Sequence, residues 1–329
     1  MLGATADQSE DCLTLNIWTK PQDGEKKKPV LVWVHGGGYT SGSSAVPWYN
    51  GQYLAGKEDL VVVTLNYRLS ILGFPGNPVS PANLGLLDQR LALEWVRDNI
   101  AGFGGDPERI TLFGQSAGGG SVDHYSYAWK SDPIVQAFIL MSGTAAGFGL
   151  PSKRTAGDNW FNTTAACGCG NATDDPDRVY ECMRAKPAVD IVTNITRVTV
   201  TDPITGLPFS PTVDEKYVFS NYIGRKPIAA PVMIGNTDLE TGLFRLLQPT
   251  YPAVIWPLIN DIAFDCPAAM RAAQSVLDGN PTWRYRWFGD FPNLALSTSP
   301  KSGSWHASDV RLSAPFLYSS SVSRLILIS

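Results

Sequence analysis

The chain has 329 residues, of which 44% are apolar and 17% charged, and its formal net charge at pH 7 is −4. This composition can fill a large core, which excludes an intrinsically disordered chain, and the lack of a basic footprint excludes a nucleic-acid-binding protein. Apolar runs such as Leu60–Leu65 are far shorter than the ~18 residues that a transmembrane helix needs.

Short, apolar and often β-branched runs that are bounded by turn residues predict buried strands. Six such runs occur, at residues 29–35, 60–67, 110–113, 137–141, 231–235 and 283–288. The last run alternates large aromatic residues with arginines, which is typical of a strand with one solvated side.

The segment that begins at Leu84 has leucines at helical spacing and predicts an amphipathic helix of about 15 residues. Its predicted buried face consists of Leu84, Leu87, Leu91 and Trp95, flanked by Ala92 and Val96. The charged residues that fall outside this face are Asp88, Arg90, Glu94 and Arg97.

The alternation of predicted strands with helical segments favours parallel βαβ units in a sheet that is covered on both faces. Residues 144–230 break this alternation because they are rich in Pro, Gly, Asn and Asp. We interpret them as an insertion over the sheet edge and not as an independent domain. Residues 1–329 are therefore predicted to form a single α/β domain.

The pentapeptide Gly114-Gln115-Ser116-Ala117-Gly118 directly follows the predicted strand at residues 110–113. A strand, a Gly-x-Ser-x-Gly sequence and then a helix form a nucleophile elbow, in which the serine lies on a strained turn. Small residues at Gly114 and Gly118 suit a turn that neighbouring backbone crowds. Since a serine hydroxyl is a poor nucleophile until a base takes its proton, Ser116 requires a basic partner.

Only three histidines can supply that base. His124 follows Ser116 by eight residues on the next helix, a rise of ~12 Å that is too long for a hydrogen bond. His35 ends a predicted strand and opens a run of glycines, which indicates a structural residue. His306, in the loop Gly303–Asp309 after the last predicted strand, is the predicted base.

Acyl transfer also requires hydrogen-bond donors that face the oxygen on which negative charge develops. The sequence His35-Gly36-Gly37-Gly38 follows a predicted strand and matches the oxyanion loop of lipases and esterases. The predicted donors are the backbone amides of Gly37, Gly38 and Ala117.

A carboxylate that fixes the histidine tautomer completes such a site. In this architecture the chain order is serine, acid, histidine, so the acid lies between Ser116 and His306. Glu240 and Asp238 both lie just beyond the predicted strand at residues 231–235. The chemistry of the sequence alone does not separate these two carboxylates.

At these residues the chain resembles the type-B carboxylesterase family, which includes cholinesterases and several fungal lipases. The blocks that carry the resemblance are Glu10–Trp18, His35–Tyr39, Phe103–Gly119 and Gly303–Asp309. The resemblance implies an α/β-hydrolase fold with a largely parallel central sheet flanked by helices. It also favours Glu240, because the family's acid is a glutamate five residues after a strand-ending glycine, here Gly235. Thr241 departs from the family, in which a glycine directly follows that glutamate.

The resemblance extends from about residue 8 to about residue 312, and family members are much longer. We therefore expect a fold that is incomplete at its N- and C-terminal ends, with residues 313–329 as a tail outside the family. The resemblance further implies that Cys182 pairs with Cys167 or Cys169. It places the partners of Cys12 and Cys266 beyond this chain.

Three glycosylation sequons, at Asn162, Asn171 and Asn194, lie in the same region as three of the five cysteines. This clustering indicates the exposed surface of a secreted, oxidised protein. The first residues lack the charged start and apolar core of a signal peptide. Loss of the natural start would reconcile the two observations.

The predicted function is hydrolysis of a small-molecule carboxylic ester through Ser116, Glu240 and His306 and an acyl-enzyme intermediate. No metal or organic cofactor is required by this chemistry, and no nucleic-acid partner is expected. The alternatives are a catalytically inactive, cholinesterase-like adhesion or binding protein, since a fold does not fix a function, and a fragment without function.

Overall fold

The computed structural model describes residues 9–21, 27–147, 149–195, 208–310 and 326–328. Eight strands form one sheet: β1 Leu15–Trp18, β2 Lys28–Val34, β3 Val61–Leu65, β4 Gly105–Gln115, β5 Ala137–Met141, β6 Val232–Thr237, β7 Thr282–Trp287 and β8 Ile326–Ile328. Their order across the sheet is β1-β3-β2-β4-β5-β6-β7-β8. Strands β2 to β7 are parallel, while β1 and β8 pair antiparallel at the two edges. The predicted α/β fold with a largely parallel sheet is confirmed.

All six predicted strands are present. Their apolar runs are continuous because both sheet faces are covered, and all five residues of β3 are buried. The chain begins β4 at Gly105, five residues before the predicted start. The edge strands β1 and β8 were not predicted, since they are only four and three residues long.

Ten α-helices lie in the described ranges: α1 Gln52–Glu58, α2 Ser70–Gly73, α3 Leu84–Asn99, α4 Ala117–Ala128, α5 Lys153–Ala166, α6 Pro176–Arg184, α7 Ala188–Ile195, α8 Thr241–Leu247, α9 Trp256–Asn260 and α10 Cys266–Leu277. Side chains from successive positions of β2 pack on opposite sheet faces. Val32 joins the larger core with residues of α3 and α4, and Trp33 joins a smaller cluster with Tyr49 and Phe113. Among the described helices, none is both long and apolar enough to cross a membrane.

The predicted buried face of α3 is wrong, although the helix itself is present. Leu91 and Trp95 are 61% and 39% exposed. The helix instead buries the face that carries Leu86, Gln89, Arg90, Leu93 and Val96. This face is about one residue out of phase with the predicted one because two of its polar side chains have buried partners. Gln89 Nε2 donates to Ser121 Oγ (3.1 Å), and the Arg90 guanidinium donates to the Tyr125 hydroxyl (3.1 Å).

Residues 144–230 connect β5 and β6, which are neighbours in the middle of the sheet. Their described part contains α5, α6 and α7, which bury a separate apolar cluster that includes Trp160 and Met183. A disulfide joins Cys169 to Cys182 and leaves Cys167 as a free, buried thiol. The pairing that the resemblance left open is thus Cys169–Cys182.

Gly235 in β6 lies beneath the ring of Tyr285, its register partner in β7. A Cβ at Gly235 would lie 2.1 Å from two ring carbons, so we expect Gly235→Ala to lower the free energy of unfolding by about 1–3 kcal/mol. Gly56→Ala is the matched control. Its Cβ would meet nothing within 4 Å in the exposed α1, and we expect stability to be unchanged or higher by about 0.5–1 kcal/mol. Urea unfolding tests both, and equal stability of Gly235→Ala and the unsubstituted protein contradicts the packing argument.

Candidate active site

Ser116 occupies the turn between β4 and α4. Its backbone has φ +59° and ψ −125°, a left-handed conformation that costs a non-glycine residue of order 1–3 kcal/mol. Its amide donates to Met141 O at the end of the neighbouring strand β5 (2.8 Å). The turn is tight enough that a Cβ at Gly118 would lie 2.1 Å from Val34 O. The elbow predicted from the pentapeptide is therefore present.

His306 lies in the loop that follows β7 and is buried against Glu240. The distance from His306 Nδ1 to Glu240 Oε2 is 2.5 Å. Glu240 follows the end of β6 by three residues and is completely buried. Its second carboxyl oxygen accepts the amide of Thr237 (2.7 Å), which fixes the carboxylate in orientation. The carboxylate therefore selects the imidazole tautomer with the proton on Nδ1, leaving Nε2 free to accept a proton.

The competing carboxylate, Asp238, points elsewhere. Its side chain is 43% exposed and pairs with Arg286, with 3.0 Å between Oδ1 and Nε. The glycine that the family has directly after its glutamate is displaced by one position here. A Cβ at Gly242 would lie 2.0 Å from Ser302 O, directly before the histidine loop, while Thr241 is buried and donates its amide to Asn260 Oδ1 (3.3 Å).

The two remaining histidines are buried in unrelated surroundings. His35 stacks on Tyr67 with 4.6 Å between ring centroids, and its Nδ1 lies 2.8 Å from Gly36 O. His124 Nδ1 lies 2.7 Å from the hydroxyl of Tyr222. Burial lowers the pKa of each of these imidazoles to about 4, so both are neutral at pH 7 and weak bases.

The predicted oxyanion donors lie at the ends of two adjacent strands. Gly37 and Gly38 follow β2 and both have positive φ, +115° and +62°. Ala117 is the first residue of α4, where an amide has no acceptor within the helix. In the described part of the chain, none of these three amides donates a hydrogen bond to another protein group.

The ends of β2, β4 and β6 and the loop that follows β7 thus bring the predicted site residues to the carboxyl edge of the sheet, where open α/β sheets bind ligands. One predicted contact is not formed. In the described residues, no hydrogen bond joins the Ser116 hydroxyl to His306, and Gln115 Nε2 instead lies 3.0 Å from His306 Nε2. Because Gln115 precedes Ser116 in the chain, this contact still brings the imidazole to the elbow.

A family model described as the carboxylesterase family matches residues 2–253. The chain belongs to the carboxylesterase family. The resemblance to this family is thereby confirmed, and the matched range contains the blocks Glu10–Trp18, His35–Tyr39 and Phe103–Gly119.

Individual relatives agree with this membership. Secreted lipase 5 of Gibberella zeae is 34% identical over 94% of this chain and 63% of its own length, and the cholinesterase of Mus musculus is 39% identical over 66% of this chain and 36% of its own length. The chain therefore spans less than two thirds of either relative. A PNB esterase structure superposes with a TM-score of 0.76 at 27% identity and covers 93% of this chain and 71% of that protein.

This carboxylesterase-family chain encloses His306 with aromatic rings that the sequence analysis missed. The ring centroids of Phe244 and Phe264 each lie 5.0 Å from that of His306. Phe244 lies four residues after Glu240, so helical spacing on α8 could have indicated it. Phe264 belongs to a π-helix, Asp261–Asp265, a feature often found at functional sites but not visible in sequence.

A second acidic group near His306, Asp309, was also missed, although it lies only three residues after His306 in the chain. Tyr285 donates its hydroxyl to Asp309 Oδ2 (2.8 Å). Burial, followed by the negative charge of Glu240, raises the pKa of Asp309 to about 6. In the described ranges, no group of three or more His, Cys, Asp or Glu side chains is placed to hold a metal ion.

Proposed function

We propose that this chain hydrolyses carboxylic esters, with Ser116 as nucleophile, His306 as general base and Glu240 as the orienting acid. The observation that carries the proposal is the buried contact of 2.5 Å between His306 Nδ1 and Glu240 Oε2 beside the Ser116 elbow. A histidine held in one tautomer by a carboxylate can take a hydroxyl proton on its other nitrogen. Family membership supports the same chemistry.

The reaction proceeds in two steps. Ser116 Oγ forms a bond to the ester carbonyl carbon as its proton passes to His306 Nε2, and the negative charge moves to the carbonyl oxygen. The amides of Gly37, Gly38 and Ala117 stabilise that oxyanion. His306 then protonates the departing alcohol, and water, activated by the same imidazole, releases the acid from Ser116.

Hydrolysis of p-nitrophenyl esters tests this function directly. We expect the purified chain to release nitrophenolate from p-nitrophenyl butyrate well above the buffer rate, and a series of acyl lengths gives its preference. His306→Ala is expected to lose this activity. His124→Gln is expected to keep it, because the imidazole of His124 pairs with the hydroxyl of Tyr222. Release no faster than in buffer by folded protein contradicts the proposal and favours the inactive binding protein.

We further propose that the protein is secreted and carries N-linked glycans. Asn162 and Asn171 are exposed, whereas Asn194 is half-buried and donates its amide to Asp190 O (2.8 Å). A bulky, hydrophilic glycan fits only a side chain that projects into solvent. The Cys169–Cys182 disulfide beside Asn171 agrees with an oxidising compartment.

Peptide mapping of protein secreted by a eukaryotic host tests this placement. Enzymatic removal of N-glycans converts a modified asparagine to aspartate, and we expect this conversion at Asn162 and Asn171 but not at Asn194. Asn280 is an internal control, because the proline that follows it blocks glycosylation. Unmodified Asn162 and Asn171 in secreted protein contradict the proposal.

A further inference from the structure

Gln115 lies between the oxyanion loop and the base. Its side chain is buried, with 3% exposure, and its Nε2 lies 3.0 Å from His306 Nε2. Its amide oxygen faces Gly36, where a Cβ would lie 2.9 Å away. The side chain therefore lies between two parts of the proposed site, and its amide nitrogen contacts one of them, the base.

The contact involves the nitrogen on which the proposed reaction depends. Because Glu240 holds the proton on Nδ1, the neutral imidazole has one lone pair, on Nε2. The Gln115 amide donates to that lone pair, and the Ser116 hydroxyl must reach the same lone pair to be deprotonated. The described residues contain no hydrogen bond between Ser116 and His306, so the Gln115 amide is the group that contacts the Nε2 lone pair.

We propose that Gln115 is a positioning residue that holds His306 in its reactive neutral form between turnovers and yields Nε2 to Ser116 when an ester binds. This inference rests on the proposed function and assigns a task to a residue outside the triad. Once Nε2 has taken the serine proton, half a turn of the amide presents Oε1 as an acceptor for the new N–H. A glutamine can thus serve both protonation states, since it carries a donor and an acceptor.

Two substitutions of similar size test whether the Gln115 side chain controls the protonation of His306. A carboxylate in Gln115→Glu can only accept, so it favours the imidazolium and is expected to raise the pKa of His306 by about one unit or more. Gln115→Met offers neither a strong donor nor a strong acceptor, and we expect it to move this pKa by less than a third as much. Glu240 and Asp309, the acidic groups that face His306 in the described structure, are unchanged in both variants.

Histidine ¹H–¹⁵N NMR titration measures this effect without requiring activity. The chain has only three histidines, and burial lowers the pKa of the other two to about 4. We expect the His306 midpoint to rise in Gln115→Glu, and the acidic limb of the kcat/KM profile to shift with it to higher pH, at an about tenfold lower proton concentration. In the double variant Gln115→Met with Ser116→Ala, the ¹⁵N chemical shift of the unprotonated His306 Nε2 should move toward the value of an imidazole nitrogen that accepts no hydrogen bond.

The outcomes separate a failure of the inference about Gln115 from a failure of the proposed function. An unchanged His306 midpoint in folded Gln115→Glu, or an unchanged Nε2 signal in Gln115→Met with Ser116→Ala, overturns the inference about Gln115. If Gln115→Glu does not fold, the Nε2 signal of the methionine variant still decides. Absence of ester hydrolysis by the unsubstituted chain, with the NMR shifts as expected, overturns the proposed function while the position of Gln115 stands.

Discussion

Ser116→Ala is expected to lower kcat for p-nitrophenyl butyrate by about 10⁴-fold or more, because it removes the only atom that forms the acyl bond. The change should leave the fold intact. Ser116 is buried at the strand–helix turn, and alanine removes only the hydroxyl oxygen. Steady-state kinetics with circular dichroism on the same samples measure both properties.

Ser308→Ala is the matched control for that experiment. Ser308 is also buried, lies in the histidine loop two residues after His306, and has an Oγ without a hydrogen-bond partner. Its removal relieves an unsatisfied polar atom, so we expect kcat within about twofold of the unsubstituted chain. Residual activity of Ser116→Ala near that of Ser308→Ala means that another group attacks the ester.

Glu240→Gln is expected to lower kcat by about 10³- to 10⁴-fold with little change in KM. The substitution keeps the shape of the side chain but removes the negative charge that stabilises the imidazolium formed in the reaction. It also offers an amide donor to Nδ1, which favours the wrong tautomer. Since Glu240 is completely buried, solvent cannot stabilise the imidazolium in place of the lost charge.

Asp238→Asn is the corresponding control for the acid. Its surface ion pair with Arg286 contributes at most about 1 kcal/mol to stability, and the side chain faces away from His306. We expect kcat to stay within about twofold of the unsubstituted chain. A large loss in Asp238→Asn together with an active Glu240→Gln reverses the assignment of the acid.

The parallel sheet could be predicted from sequence because its strands are buried on both faces. In β3, for example, the five consecutive buried residues form a short apolar run in the sequence, which is not typical of a loop or of an amphipathic helix. The edges could not be predicted in the same way. A strand such as β1, with four residues and one exposed position, has no distinctive periodicity.

The buried face of α3 shows where pattern reasoning fails. The prediction placed every charged residue in solvent, yet Asp88 is buried and accepts the Arg68 guanidinium (2.8 Å). Partners far along the chain satisfy such groups, and helical spacing does not reveal those partners. The opposite error concerns Leu91, which was predicted to be buried and is exposed.

The residues of the proposed site also differ in whether local sequence or only tertiary structure reveals them. Ser116, His306 and the oxyanion glycines stand in local motifs, so the sequence indicates them without the fold. The choice between Glu240 and Asp238 needed either the family resemblance or the geometry, because both carboxylates follow the same strand. Gln115 and Phe264 carry no local signal for their contacts with His306, which the tertiary structure alone creates.

Covalent labelling with a fluorophosphonate tests whether Ser116 is an activated nucleophile, because the reagent reacts with an activated serine. We expect one adduct per folded chain, located on the peptide that contains Ser116 and absent in both Ser116→Ala and His306→Ala. Folded protein that remains unlabelled, or labelling that persists in Ser116→Ala, contradicts the role of Ser116 as the activated nucleophile.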